Sequence, residues 1–206
     1  MRKKKNHHFE TKVIHAGQKS DPTTGAVMTP IVLASTFEQS SPGVHKGYDY
    51  SRSINPTREA FENCIADLEN GYKGYGFSSG VAAISACVEL LSPGDHIIAM
   101  DDLYGGSVRL FNEIKSLSQG IEISYVDMTD TNNIKNAIKA STKMIFVETP
   151  TNPLLKIADL SKIAKLAKKE KILTVCDNTF ASPFNQKPIN DGIDIVIHSA
   201  TKYLGG

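Results

Sequence analysis

Chemistry is most concentrated near the carboxy terminus, in Asp194-Ile195-Val196-Ile197-His198 followed by Ser199-Ala200-Thr201-Lys202-Tyr203. The first part is apolar, β-branched and preceded by the turn-former Gly192, which predicts a short buried strand. The second part sets hydroxyls at alternate positions, Ser199 and Thr201, with Lys202 directly after the second. A lysine is costly to bury unless it is paired or its pKa falls and it becomes a nucleophile. An amine at a strand end, beside hydroxyls suited to an anion, fits a Schiff base to an aldehyde cofactor that carries a phosphate. Taken alone, S-x-T-K is also a surface lysine in a loop leaving a strand. The remaining partners of such a cofactor must therefore come from elsewhere in the chain.

Four other places supply them. Ser78-Ser79-Gly80 precedes an apolar helical run, so free N–H groups at the helix start can hold an anion, and Gly80 admits it close to the backbone. Asp177 ends the apolar run Ile172-Leu173-Thr174-Val175-Cys176, where a carboxylate can face a protonated ring nitrogen. Tyr104 can stack on a ring and offer a phenol for proton transfer, and Asn152 can orient a ring hydroxyl. Each has an ordinary explanation too: capping by Ser78 or Ser79, a turn at Asp177-Asn178, a loop tyrosine covering core, a turn shaped by Pro-x-Asn-Pro. Together they outweigh those explanations. A dinucleotide site is a rival, with Gly74-Tyr75-Gly76, Gly80 and a ribose contact from Asp101 or Asp102. Its spacing, G-x-G-x-x-x-G, is one residue too long for the glycine fingerprint, and it leaves Lys202 and Asp177 without a role.

The elements that would position these groups alternate. Strands are predicted at Gly74–Phe77, His96–Met100, Ile121–Val126, Met144–Val147, Ile172–Cys176 and before Lys202. Helices are predicted at Val81–Leu91, from about Ser107, near Thr131–Lys139 and about Asp159–Lys169. This alternation predicts an α/β fold, a mostly parallel sheet with helices on both faces. Ligands in such sheets gather beyond the carboxyl ends of the strands, where the polar clusters fall. Upstream, Asn55-Pro56 predicts a helix cap and first turn, with Asn70-Gly71 as its stop. Residues 9–56 read as an extended N-terminal arm, irregular from Phe9 to about Tyr50, with Pro30–Phe37 as its one apolar run. An arm of this kind lies across another surface, such as a second subunit. Residues 1–8 read as a basic, disordered tail, and 57–206 as a cofactor-binding domain.

Composition narrows the class. With 206 residues, 40% apolar, 22% charged and a formal net charge of +1, nothing points to nucleic acid. The longest nearly apolar run, Val81–Leu91, is too short to cross a membrane. Phe9-Glu10-Thr11-Lys12 follows the basic run where a signal peptide would be apolar. Cys64, Cys87 and Cys176 are odd in number and lie in apolar patterns, so they read as reduced core thiols of a cytoplasmic protein and not as a metal site.

The motifs identify a resemblance. Tyr-Ser-Arg-Ser-x-Asn-Pro-Thr (50–57), Ser-Ser-Gly (78–80), Asp-Asp-Leu-Tyr-Gly-Gly (101–106), Glu-Thr-Pro-Thr-Asn-Pro (148–153), Asp-Asn-Thr-Phe (177–180) and Ser-Ala-Thr-Lys-Tyr (199–203) resemble the pyridoxal-phosphate enzymes of cysteine and methionine metabolism. That is the cystathionine γ-lyase, γ-synthase and β-lyase group, and the likeness runs from about Phe9 to Gly206. It implies the large domain of a fold-type I pyridoxal 5'-phosphate enzyme that eliminates or replaces groups at the β or γ carbon of sulfur amino acids. It implies Lys202 as the Schiff-base lysine and Asp177 at the pyridine nitrogen. Tyr104 would stack on the ring, with Asn152 near the ring hydroxyl and Thr179 near the ring. Ser79, Gly80, Val81, Ser199 and Thr201 would hold the phosphate, although Val81 stands where the family commonly has methionine. Tyr50 and Arg52 would reach the phosphate of a neighbouring subunit in a homo-oligomer, a tetramer built from dimers that share active sites. Family chains continue past the position matching Gly206 into a smaller domain with the arginine that binds the substrate carboxylate. The cofactor domain is therefore expected to be incomplete here, and the competing expectation is a fragment that only binds cofactor or pairs with another chain.

Overall fold

A computed structural model describes residues 7–206; most of the predicted basic tail, residues 1–6, lies outside them. The chain divides into two units, one running to Gly76 and the other from Phe77 to Gly206.

In the first unit, helix α1 (Phe9–His15) is followed by a small antiparallel hairpin, β1 (Gln39–Ser41) and β2 (Val44–His45), and by helix α2 (Pro56–Leu68). The start of α2 follows from its first residues. Asn55 accepts the Thr57 N–H at 2.9 Å, and Pro56, which has no N–H to leave unpaired, takes the first helical position. Beyond its end Asn70 turns into the left-handed region at φ 57°. Helix α1 interrupts an arm read as irregular, and Lys12 ties it to α2 by an ion pair with Asp67 at 3.6 Å. The apolar run offers little to this unit itself: Ile31 is 80% and Leu33 91% exposed.

The second unit alternates. In order come α3 (Gly80–Val88), β3 (His96–Met100), α4 (Gly105–Arg109), a π-helical stretch (Leu110–Lys115) and α5 (Ser116–Gln119). Then follow β4 (Glu122–Val126), α6 (Thr131–Ala137), β5 (Thr142–Glu148), α7 (Leu160–Glu170), β6 (Leu173–Asp177), α8 (Ser182–Asn185), α9 (Pro188–Asp191) and β7 (Ile195–Ile197). The five strands form one parallel sheet in the order β4-β3-β5-β6-β7. Every residue of β3 is inaccessible to solvent, and so are Met144 to Val147 of β5. Successive strand residues point to opposite faces, so both faces of the sheet's centre are covered. That is why these strands read as unbroken apolar runs and not as alternating ones. The covering helices bury single stripes: α7 turns Leu160, Ile163, Ala164 and Ala167 inward at helical spacing. Phe111 of the π-helical stretch meets Phe146 of β5 edge to face, centroids 5.2 Å apart.

One predicted strand does not form. Gly74–Phe77 pairs with no described strand. Its two glycines bring no side chains to a sheet face, and the Gly76 N–H donates instead to the Glu62 carboxylate of α2 at 2.8 Å.

Candidate active site

Parallel strands put all their carboxyl ends on one edge. The register there is definite: Glu148 of β5 lies opposite Asp177 of β6, and Asp177 opposite Ile197 of β7. The ends of these three neighbours and the loops leaving them carry half of the residues singled out from the sequence, namely Asn152, Asp177, Thr179, Ser199, Thr201 and Lys202.

Asp177 is the anchor. It is 8% exposed and accepts the Thr179 N–H at 3.0 Å as well as the Thr179 hydroxyl. Burial holds its pKa above the ordinary carboxylate value, against the lowering pull of Thr179 and nearby His198. Thr179 links Asp177 to the turn after β7, because its hydroxyl oxygen accepts the Ser199 N–H at 2.8 Å. In that turn the Ser199 and Thr201 hydroxyls stand 3.2 Å apart, and the Lys202 N–H closes onto the Ser199 carbonyl at 3.1 Å. The Lys202 side chain is exposed, and among the described residues its amine has no hydrogen-bond or ion partner. The cost of burying a lysine thus plays no part here; what marks Lys202 is its position.

The start of α3 meets the same turn. Ser79 caps the helix, its hydroxyl accepting the Ala82 N–H at 3.1 Å, so Ser79 and not Ser78 is the cap. A Cβ on Gly80 would come within 2.9 Å of the Ser199 Cβ, closer than packed carbons come. Only glycine lets the helix start and the serine approach this far. Val81 follows, half-buried in the first turn. Helix N–H groups, a capping hydroxyl and two further hydroxyls thus surround one spot, a donor set suited to a phosphate.

On the other side of Asp177, Tyr104 caps α4, and its N–H donates to the Glu148 carboxylate at 2.9 Å. Its ring, 45% exposed, lies over Gly106, where any side chain would collide with it. Asn152 is half-buried in the loop after β5, and its N–H lies near enough to Glu148 to favour the charged carboxylate. Glu148 was not singled out as a site residue, although it opens one of the motifs. It is 5% exposed, and its pKa is pushed up to about 7, first by burial and then by the charges of Asp177 and Asp102. The signal available was an acid terminating a long apolar strand.

The rival reading loses its acids. Asp101 pairs with Lys156 at 2.8 Å, while Asp102 accepts the Thr151 hydroxyl and the Leu154 N–H. Tyr50 and Arg52 belong to the first unit, where they hold each other: the guanidinium donates to the phenol oxygen at 2.5 Å and lies 5.1 Å from the ring centroid.

Comparison with known proteins shows the family. Residues 10–206 match the family model described as "Cys/Met metabolism PLP-dependent enzyme". A cystathionine beta-lyase of Coxiella burnetii is 59% identical over 98% of this chain and 52% of its own. A cystathionine gamma-lyase of Bacillus subtilis is 49% identical over 96% and 52%. A crystal structure of cystathionine gamma-lyase from Lactobacillus plantarum, complexed with L-serine, superposes with TM-score 0.94 at 50% identity, over 97% of this chain and 52% of that one. The chain spans about half the length of these relatives. It belongs to the pyridoxal-phosphate-dependent enzymes of cysteine and methionine metabolism.

Proposed function

We propose that the protein carries out pyridoxal-phosphate-dependent elimination or replacement on sulfur amino acids of the cystathionine type. The observation that carries this reading is the convergence of a free lysine amine, a buried aspartate and a glycine-floored cluster of donors at the ends of neighbouring parallel strands. The residues fit the cofactor on two counts: the absence of a side chain at Gly80 brings the start of α3 against the Ser199 turn and its hydroxyls, and a cationic ring N–H would offset the desolvation of Asp177.

In this reading Ser79, Gly80, Val81, Ser199 and Thr201 hold the phosphate, Tyr104 covers the ring, Asn152 meets the ring hydroxyl and Thr179 lies beside the ring. Bound there, pyridoxal phosphate supplies an electron sink for the charge left on a substrate α-carbon. Asp177 keeps a proton on the ring nitrogen. Lys202 would be the residue that holds the cofactor covalently, and its amine would serve as the base that takes the substrate α-proton and returns it. Tyr104 has a phenol placed to assist that transfer. Tyr50 and Arg52 serve the phosphate of a neighbouring subunit, a role that suits a planar guanidinium fork. The exposed apolar arm supports assembly into a homo-oligomer, a tetramer built from two dimers. A cytoplasmic location is supported by three free cysteines; no helix among the described residues is long and apolar enough to cross a membrane.

The test is spectroscopic. The full-length protein is expected to be yellow, to lose its visible band on borohydride reduction, and to carry the reduced label on Lys202. Lys202→Ala should bind cofactor without covalent attachment. A covalent adduct that survives this substitution overturns the assignment. Products of cystathionine turnover then identify which carbon–sulfur bond breaks; cofactor uptake without turnover of sulfur amino acids overturns the activity.

A further inference from the structure

Glu148 is the one buried acid at this edge to which the cofactor reading gives no task. It ends the central strand β5, directly opposite Asp177, with 5% of its surface exposed. Its carboxylate takes the main-chain N–H of Tyr104, in the loop after β3, at 2.9 Å. The main-chain N–H of Asn152, in the loop after β5, lies near enough to favour the charged form. These are the two residues expected to cover the ring and to meet its hydroxyl.

A carboxylate suits this work because each of its oxygens has two lone pairs and neither carries a proton that must be placed when ionised. Placing such an acid at the end of a covered strand costs desolvation, and Asp177 and Asp102 nearby add to that cost. Within this chain the return on that cost is the fixing of two loops. Asp102 reinforces the same junction from its other side, accepting the Thr151 hydroxyl and the Leu154 N–H at 2.9 Å. Glu148, however, takes the main-chain N–H of Tyr104 itself and faces that of Asn152.

We propose that Glu148 is a positioning residue, whose buried carboxylate clamps the Tyr104 and Asn152 loops to the strand end beside Asp177 and so sets the two groups that frame the cofactor ring. The inference rests on the cofactor reading for its purpose, though not for its geometry.

Amide hydrogen exchange tests the clamp directly, in the full-length protein with and without pyridoxal phosphate. In Glu148→Ala the Tyr104 and Asn152 amides should exchange about five- to tenfold faster, as the carboxylate they face is lost. Those of Ile145 and Phe146, inside the same strand, should stay as they were. The loaded variant should keep its cofactor through Lys202 but show weaker visible circular dichroism and a lower kcat at similar KM. Glu148→Gln fills the same space with a single acceptor oxygen and should fall between the two. It decides the matter where the alanine variant loosens the strand interior as well. Wild-type exchange at both amides in Glu148→Gln, with unchanged dichroism, overturns the proposal. A wild type that takes up no pyridoxal phosphate overturns the cofactor reading instead, and the exchange comparison still decides the clamp.

Discussion

Single residues in this site are chosen against stability. Glu148 and Asp177 are acids held in covered positions at adjacent strand ends, and burial raises both pKa values. For such a group the folded state favours the protonated form. The associated stability is present at low pH and lost as pH rises, for Glu148 between its ordinary 4.5 and about 7. Denaturant titrations of the cofactor-free protein at pH 5 and pH 8 should therefore show Glu148→Gln closing the gap to wild type, or overtaking it, at the higher pH only. Equal differences at both pH values count against a neutral Glu148 in the fold. Gly80 is chosen for absence of a side chain. Gly80→Ala pushes a methyl to 2.9 Å from the Ser199 Cβ, an overpacking cost of about 1–3 kcal/mol. Cofactor affinity measured by titration should fall by the corresponding tenfold or more, while helix content by circular dichroism holds.

Elements place these residues, and most elements were legible. The runs Ile97–Met100 and Met144–Val147 are covered on both faces, so an unbroken apolar run was an unambiguous sign. Asn55-Pro56 and Ser79 announced helix starts through capping chemistry that is wholly local. Two features were not legible, for opposite reasons. Gly74–Phe77 has the length and aromatic content of a strand but no described strand beside it, and pairing is a property of two segments. Helix α1 is short, seven residues, with no buried residue, so its sequence carries no stripe to read. Within the site, Lys202, Asp177 and the hydroxyls stood out because their residue types are unusual at strand ends. Glu148 did not, although it closes an apolar strand as Asp177 does, because its burial and its hold on the Tyr104 N–H show only in the fold.

At the scale of the whole molecule, the assignment makes the site a joint product of two subunits. Arg52 and Tyr50 pair with each other in this chain, and on our reading they serve a neighbour's phosphate. Co-folding Arg52→Ala with Lys202→Ala should restore activity that neither variant has alone, since mixed dimers contain one site with both residues intact. No recovery on mixing, with hybrids demonstrated by mass spectrometry, places Arg52 and Lys202 of one chain in the same site. An all-parallel sheet also has a temporal consequence. Its strands are joined by long excursions, and its working edge draws on positions from Ser79 to Lys202, so the edge is complete only when segments far apart in sequence have come together. Colour should consequently be the slowest signal during refolding, trailing the far-ultraviolet change, because the vitamin can be captured only by a chain that has already finished its own weaving.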